Sequence, residues 1–562
     1  MVVALRVEFE RDGIHMDEKG RGDVMGRKGR ITELETAFQQ NIVNQRKFYG
    51  FGRPSDDEGF GGRFARMFPQ EVMDHVRASA PREVASVAGQ DGYVLTTDTY
   101  FTSSLLKHSR SASVRETVYR ESNTVCPNNI DVLQSLIHER DGLAKVLGHN
   151  SYGEKMVVDK MAGTTDTVTN FLQSVKKRHM AKYNEEMGAL QRIKEKDTGS
   201  YAPLEPWDTQ YYMNLYRQQM PMAHLGADLS EYLTVDNVLN GLKAVVEKLF
   251  DIDMREEEFK ESEAWTTVDG GIKKFVFYDC TSGDEIGTLY FDLFPRDNKY
   301  THAAHFTVRC GCSFYDDLAS TVTTQTPIVT VVVNLGVDPS NSGSIYFAEC
   351  ETLAHEFGHA LHSLLSRTRF QHLSGTRGPT DFVEIPSHLF EYLIAEKETL
   401  SLFASHRVTG EPVSDDLVDM MKLNKGEFTG IDTITQAMYA DFDQRLFGRH
   451  VDARSVDSAA ILGRVHENYC MPYATGTHWH SAFGHVNTYG SVYYSYLWAQ
   501  SIAKDIFTSL EKEGEGRGGI INKESGRRIG GLLSPGSSKE PFETVKIALG
   551  GKDWTGHRVG EK

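Results

Sequence analysis

Glu351-Thr-Leu-Ala-His355-Glu356-Phe-Gly-His359-Ala-Leu-His362 is the stretch on which both the fold and the chemistry of this chain turn. It holds a His-Glu-x-x-His pattern, which on a helix is the pattern of a zinc-dependent peptidase. The reason is geometric. Residues four apart lie on one helix face, about 5–6 Å apart at Cβ. His355 and His359 can therefore grip one metal ion, and Glu356 can reach a water bound to it. The simpler alternative is a surface helix with incidental histidines, so the remaining segments have to supply the rest of a site.

Two histidines leave a catalytic zinc short of ligands, because such a site takes His, His and Glu with water in the fourth position. Thr380-Asp-Phe-Val-Glu-Ile-Pro-Ser-His-Leu-Phe-Glu offers Asp381, Glu384 and Glu391. Glu384 and Glu391 are seven residues apart and share a helix face. One would ligate and the other would orient a histidine from behind. Spacing alone leaves the choice open. His485-Val-Asn-Thr-Tyr-Gly-Ser-Val-Tyr-Tyr-Ser-Tyr-Leu-Trp498 adds His485, Tyr489, Tyr493 and Tyr496. Those three tyrosines share a helix face if the helix begins that early. Their phenols and the imidazole could steady an oxyanion, or they could simply pack as an aromatic stripe.

The bulk numbers suit a soluble globular enzyme. The 562 residues are enough for one large two-lobed protein, and 40% hydrophobic with 25% charged residues is ordinary. A net charge of −17 excludes a broad nucleic-acid footprint. The six scattered cysteines form neither a disulfide scaffold nor a C-x-x-C metal site, which fits a reducing compartment. Cys350, beside the metal helix, reads as a small buried hydrophobe. No run of about 18 apolar residues is present to span a membrane. The opening Met-Val-Val-Ala-Leu-Arg-Val-Glu-Phe-Glu resembles neither a secretory signal nor, with its acidic residues, a mitochondrial presequence.

Apolar periodicity predicts helices over 31–48, 128–147, 166–193 and a helix capped by Thr234 or Asp236. A turn-rich break follows at 50–62. Between 270 and 335 the texture becomes β-branched and aromatic, which reads as a small, mostly antiparallel sheet just before the metal helix. One of its edge strands could hold an extended substrate. Helices resume over 380–397, 414–424, 433–449, 457–468 and 490–510. A flexible loop is expected at 511–519, a second loop from Ser534, and a last helix over 542–549. The division that fits is an N-terminal helical lobe, 1–225, a catalytic lobe, 226–551, and a tail, 552–562.

The motifs then become specific. His355-Glu-Phe-Gly-His-Ala-Leu-His, Ser374-Gly-Thr and Asp381-Phe-Val-Glu-Ile-Pro-Ser resemble the thimet oligopeptidase family of zinc metallopeptidases. Tyr290-Phe-Asp-Leu-Phe-Pro-Arg-Asp-Asn-Lys, Pro206-Trp-Asp and Tyr232-Leu-Thr-Val-Asp-Asn-Val-Leu-Asn-Gly-Leu extend the resemblance over roughly 120–550. The resemblance implies a mainly α, two-lobed helical metallopeptidase with a deep central channel and a small antiparallel sheet beside the zinc helix. It selects Glu384 as the third ligand to one zinc per chain, with Glu356 as general base. It assigns the oxyanion to Tyr496 and His485, and peptide contact to Tyr489 and Tyr493. Thr488 stands where a glycine is usual, which bears on how the tyrosine loop moves.

The run from His362 to Phe382, and the spacing from His485 to the tyrosines, resemble the branch that processes imported mitochondrial precursors. That branch implies removal of an N-terminal octapeptide in the mitochondrial matrix by a monomer acting on an unfolded precursor N-terminus. The alternative is a general oligopeptidase, cytoplasmic or organellar, that degrades short free peptides, including cleaved presequences. A metal-binding scaffold without catalysis would have no use for Glu356 beside the ligands.

Overall fold

Helical spacing of apolar residues builds most of this chain. The structure is a computed structural model describing residues 2–44, 48–51, 93–96, 99–219 and 229–556, except short stretches at 259, 261–262, 267–270, 297–298, 301, 317–320, 337–342, 450–451 and 516–518. The break expected at 50–62 and the domain boundary near 225 fall almost wholly outside these residues. Among the described residues no helix is long and apolar enough to cross a membrane.

The first long helix, α1 (Glu18–Asn44), begins 13 residues before the predicted start at Ile31. Gly20, Gly22, Gly26 and Gly29 hide it, since each glycine weakens a helix by about 1 kcal/mol. What holds it is a narrow stripe, Val24, Ile31 and Phe38, buried against α2 (Asn129–Val146). Helix α3 (Thr165–Thr198) is capped by Thr164, which accepts the Thr167 N–H, and runs past the predicted end to Gly199, whose φ of 70° stops it. In α4 (Val235–Phe250) it is Thr234, not Asp236, that caps, accepting the Asn237 N–H at 3.2 Å.

The sheet has five strands: β1 (Ile252–Glu257), β2 (Ile272–Asp279), β3 (Glu285–Asp292), β4 (Ala304–Arg309) and β7 (Ile328–Val332). Their order is β1-β2-β3-β7-β4. The expected antiparallel sheet is corrected at one place, because β3 and β7 pair in parallel. The chain between them makes β4 and a separate ribbon, β5 (Cys312–Asp316) with β6 (Thr321–Gln325), and returns to enter β7 in the same direction as β3. At the end of β3, buried Asp292 receives Arg296, Lys299 and the Trp265 indole N–H, which secures the turn toward β4. Strand β4 is left at the sheet edge.

The metal helix, α5 (Phe347–Leu365), is buried along most of its length. The Glu349 carboxylate accepts the Tyr346 N–H at its start, and Cys350 lies in the core. The predicted 380–397 helix is three pieces: α6 (Thr380–Val383), α7 (Ile385–Ile394) and a short turn, Lys397–Leu400. Pro386 makes the first break, since it has no N–H to return to the Phe382 carbonyl. Further on come α8 (Thr429–Leu446), α9 (Gly484–Thr488) and α10 (Tyr494–Gly514). The loop expected at 511–519 is helical as far as Gly514, the end of α10, and its residues 516–518 lie outside the described ones. One hydrophobic cluster runs from Val24 to Leu549, with α3 packed along α8, and α7 packed between α5 and α10.

Helices α5 and α7 touch at Gly358. A Cβ there would lie 2.8 Å from both the Pro386 carbonyl oxygen and Ser387 Cα. Gly358→Ala should therefore lower stability by about 1–3 kcal/mol, as overpacking does, although helix propensity alone would raise it by about 1 kcal/mol. Gly188→Ala in α3 has open surroundings, with Arg192 Nη1 at 3.5 Å, and should raise stability by about 0.5–1 kcal/mol. Chemical denaturation of the two variants checks the opposite signs.

Candidate active site

Helix α5 sets His355 and His359 one turn apart, with ring centres 5.0 Å from each other. The joint between α6 and α7 aims Glu384 at both. Its Oε2 lies 3.5 Å from His355 Nε2 and 3.2 Å from His359 Nε2. The three donor atoms lie within 4.8 Å of one another, close enough to share one ion. Glu391 takes the opposite side of His355. Its Oε1 is 2.6 Å from Nδ1 and accepts that N–H, which leaves Nε2 as the nitrogen that faces Glu384. The remaining Glu391 oxygen lies 3.2 Å from His388 Nδ1. Two imidazoles and one carboxylate, with one imidazole oriented from behind, are the donor set a tetrahedral divalent metal takes.

The third acidic candidate goes elsewhere. Asp381 is buried, accepts N–H bonds from Met161 and Ala162 at 3.0 and 3.1 Å, and accepts the Tyr494 hydroxyl at 2.9 Å. Its carboxylate is spent on joining α6 to the loop before α3 and to α10.

The charges are strongly coupled. Burial alone would push the His355 imidazole down, but Glu384 and Glu391 outweigh it and hold it up to about 10. Burial would raise both carboxyls, yet the histidines hold Glu384 well below the usual carboxylate range and Glu391 at about 2. Without a metal, the cluster thus keeps a proton where a cation fits. Glu356 differs. Burial pushes its carboxyl up, and the neighbouring His359 and His355 only partly oppose this.

Two histidines absent from the sequence candidates also line the site. His305, on edge strand β4, has its ring centre 6.2 Å from that of His359. His388 carries the second contact to Glu391. Strand β4 therefore runs beside the metal helix. His388 is three residues from Glu391 on a helix, a spacing that could have found it.

His485, Tyr489, Tyr493 and Tyr496 do come together, but not on one helix face. Gly490 and Ser491, the latter at φ 70°, interrupt the chain, and α10 starts only at Tyr494. The three tyrosine rings group around His485 instead. Its ring centre is 4.7 Å from Tyr493, 5.9 Å from Tyr489 and 6.1 Å from Tyr496. Tyr493 donates its hydroxyl to Gln436 Oε1 at 2.8 Å, whereas Tyr489 and Tyr496 are 59% and 41% exposed. Partial burial, and then the Glu384 carboxylate, push the Tyr496 phenol up to about 12, so it keeps its proton.

A helical scaffold that can bring a divalent metal and a carboxylate base to one peptide bond is a metallopeptidase. Comparison with known proteins agrees and is more specific. Residues 105–555 match peptidase family M3. A mitochondrial intermediate peptidase of Arabidopsis thaliana is 34% identical over 519 residues, covering 91% of this chain and 71% of that one. Proteins of the same name from Neurospora crassa and Mus musculus are each 28% identical, covering 99% and 96% of this chain and 71% and 70% of their own. This chain belongs to peptidase family M3.

Removing the Glu391 carboxylate by Glu391→Gln should weaken metal binding by about 10–100-fold while leaving the fold intact. Chelator competition measures it, and an affinity equal to that of the unaltered protein would show that Glu391 does not orient His355.

Proposed function

We propose that this chain is a zinc-dependent metalloendopeptidase that removes an N-terminal octapeptide from imported mitochondrial precursor intermediates in the matrix. The observation that carries the chemistry is the convergence of His355, His359 and Glu384, with Glu356 one residue along the same helix. The relatives' common name, mitochondrial intermediate peptidase, supports the substrate and the compartment.

His355, His359 and Glu384 would hold one zinc per chain. Bound there, zinc would supply Lewis acidity, a water of pKa lowered toward roughly 7 and a polarised carbonyl. Glu356 takes a proton from the attacking water and passes it to the departing amine nitrogen, help worth about 10²–10⁴-fold. The Tyr496 phenol donates to the oxyanion with His485 beside it, and one such donor is worth about 10²–10³-fold. Tyr489, and Tyr493 through its ring, line the path of the peptide. The edge of β4 would offer main-chain groups to an extended substrate. The two lobes, 1–225 and 226–551, would flank a channel that admits an unfolded N-terminus, and the enzyme works as a monomer.

The test is incubation of the full chain with a precursor intermediate and, separately, with short free peptides. Release of a discrete octapeptide is expected. Cleavage of the free peptides alone would replace the proposal with general oligopeptidase activity. In parallel, Glu356→Gln should keep its metal and lose cleavage by at least about 10²-fold. Full activity in that variant would contradict the assignment of the base.

A further inference from the structure

Helix α9, which presents His485, is only five residues long, Gly484–Thr488. A helix that short does not hold itself, and its last carbonyls lack partners within it. Arg140 of α2 supplies them. Its side chain is fully buried and donates to the Val486 carbonyl at 2.7 Å and to the Asn487 carbonyl. The cation also sits at the negative end of the α9 dipole. Its guanidinium lies 5.0 Å from the Tyr152 ring centre and 5.1 Å from that of Phe447.

A buried guanidinium needs a charge partner, and α1 provides one, Glu35 Oε1 at 2.8 Å. Asn487 donates back to the Glu35 carbonyl at 3.0 Å. On the far flank, the Asp443 carboxylate accepts the N–H groups of Ser491 and Tyr493 at 2.7 and 3.0 Å. Gln444 donates to the Ser491 carbonyl at 2.6 Å. Between these anchors there is no slack. A Cβ at Gly490 would lie 2.5 Å from Phe447 and 2.8 Å from Arg140 Nη1.

We propose that Arg140, braced by Glu35, is a positioning residue for the reaction, and that it fixes the segment carrying His485, Tyr489, Tyr493 and Tyr496 as a rigid wall of the site. Helix α1 lies before the start of the family match at residue 105. The part of the chain outside that match thus acts on catalysis through the Glu35–Arg140 pair. The proposal rests on the reading of Tyr496 as an oxyanion donor.

Arg140→Lys keeps the charge and loses the fork that reaches two carbonyls. Glu35→Ala, at a partly exposed position, removes the brace, and thermal unfolding run alongside reads what the unpaired Arg140 costs the fold. Both are assayed for kcat, KM and bound metal on an unstructured peptide, alone and combined with Tyr496→Phe. Arg140→Lys should lower kcat by about 10–100-fold, with KM within about threefold and metal unchanged. Glu35→Ala should lower kcat in the same direction. Joined to Tyr496→Phe, neither should lower kcat more than about threefold further, because each acts through that tyrosine. An unchanged kcat in both single variants, or losses that multiply in the double variants, would overturn the proposal alone. An unchanged kcat in Tyr496→Phe would overturn the oxyanion reading and this proposal with it.

Discussion

Helices α5 and α7 approach until the Gly358 Cα faces the Pro386–Ser387 backbone, and the rest of the site depends on that contact. Only a glycine allows it. The close approach brings Glu384, at the break just before α7, within 3.5 Å of both imidazole nitrogens on α5. About two turns further on, in α7, Glu391 reaches the other face of His355. A carboxylate at the start of α7 and one within it thus address opposite nitrogens of one ring. That division of labour fixes which His355 nitrogen is free to face an ion, and it requires no mobile element.

The electrostatics follow from the same geometry. Two half-buried carboxylates around one imidazole are costly unless compensated. Without a metal, the compensation is the proton that holds His355 up to about 10. Glu356 is pushed up by burial, and His359 and His355 only partly offset this.

Much of the metal helix was legible because its periodicity is local. His355, Glu356 and His359 need only the 3.6-residue repeat to be placed. The choice among Asp381, Glu384 and Glu391 was not local. It depended on Pro386 splitting the helix and on Asp381 being taken up by Met161, Ala162 and Tyr494. The tyrosine cluster was found as a set of residues, but the early helix start that a shared face required is not met, since a left-handed Ser491 cannot be read from a run of aromatics. The start of α1 was hidden by its glycines, and the parallel β3–β7 pairing by the chain between them. Arg140 was out of reach entirely, because its acceptors on α9 are 346 and 347 residues away in sequence.

The central claim is that His355, His359 and Glu384 together hold a catalytic metal. X-ray absorption at the metal edge of the purified full chain addresses it most directly. The account predicts one metal per chain with two imidazole nitrogens and carboxylate oxygen at roughly 2.0–2.2 Å, and loss of that spectrum in Glu384→Ala. A sulfur ligand near 2.3 Å, or an unchanged first shell in Glu384→Ala, would contradict it.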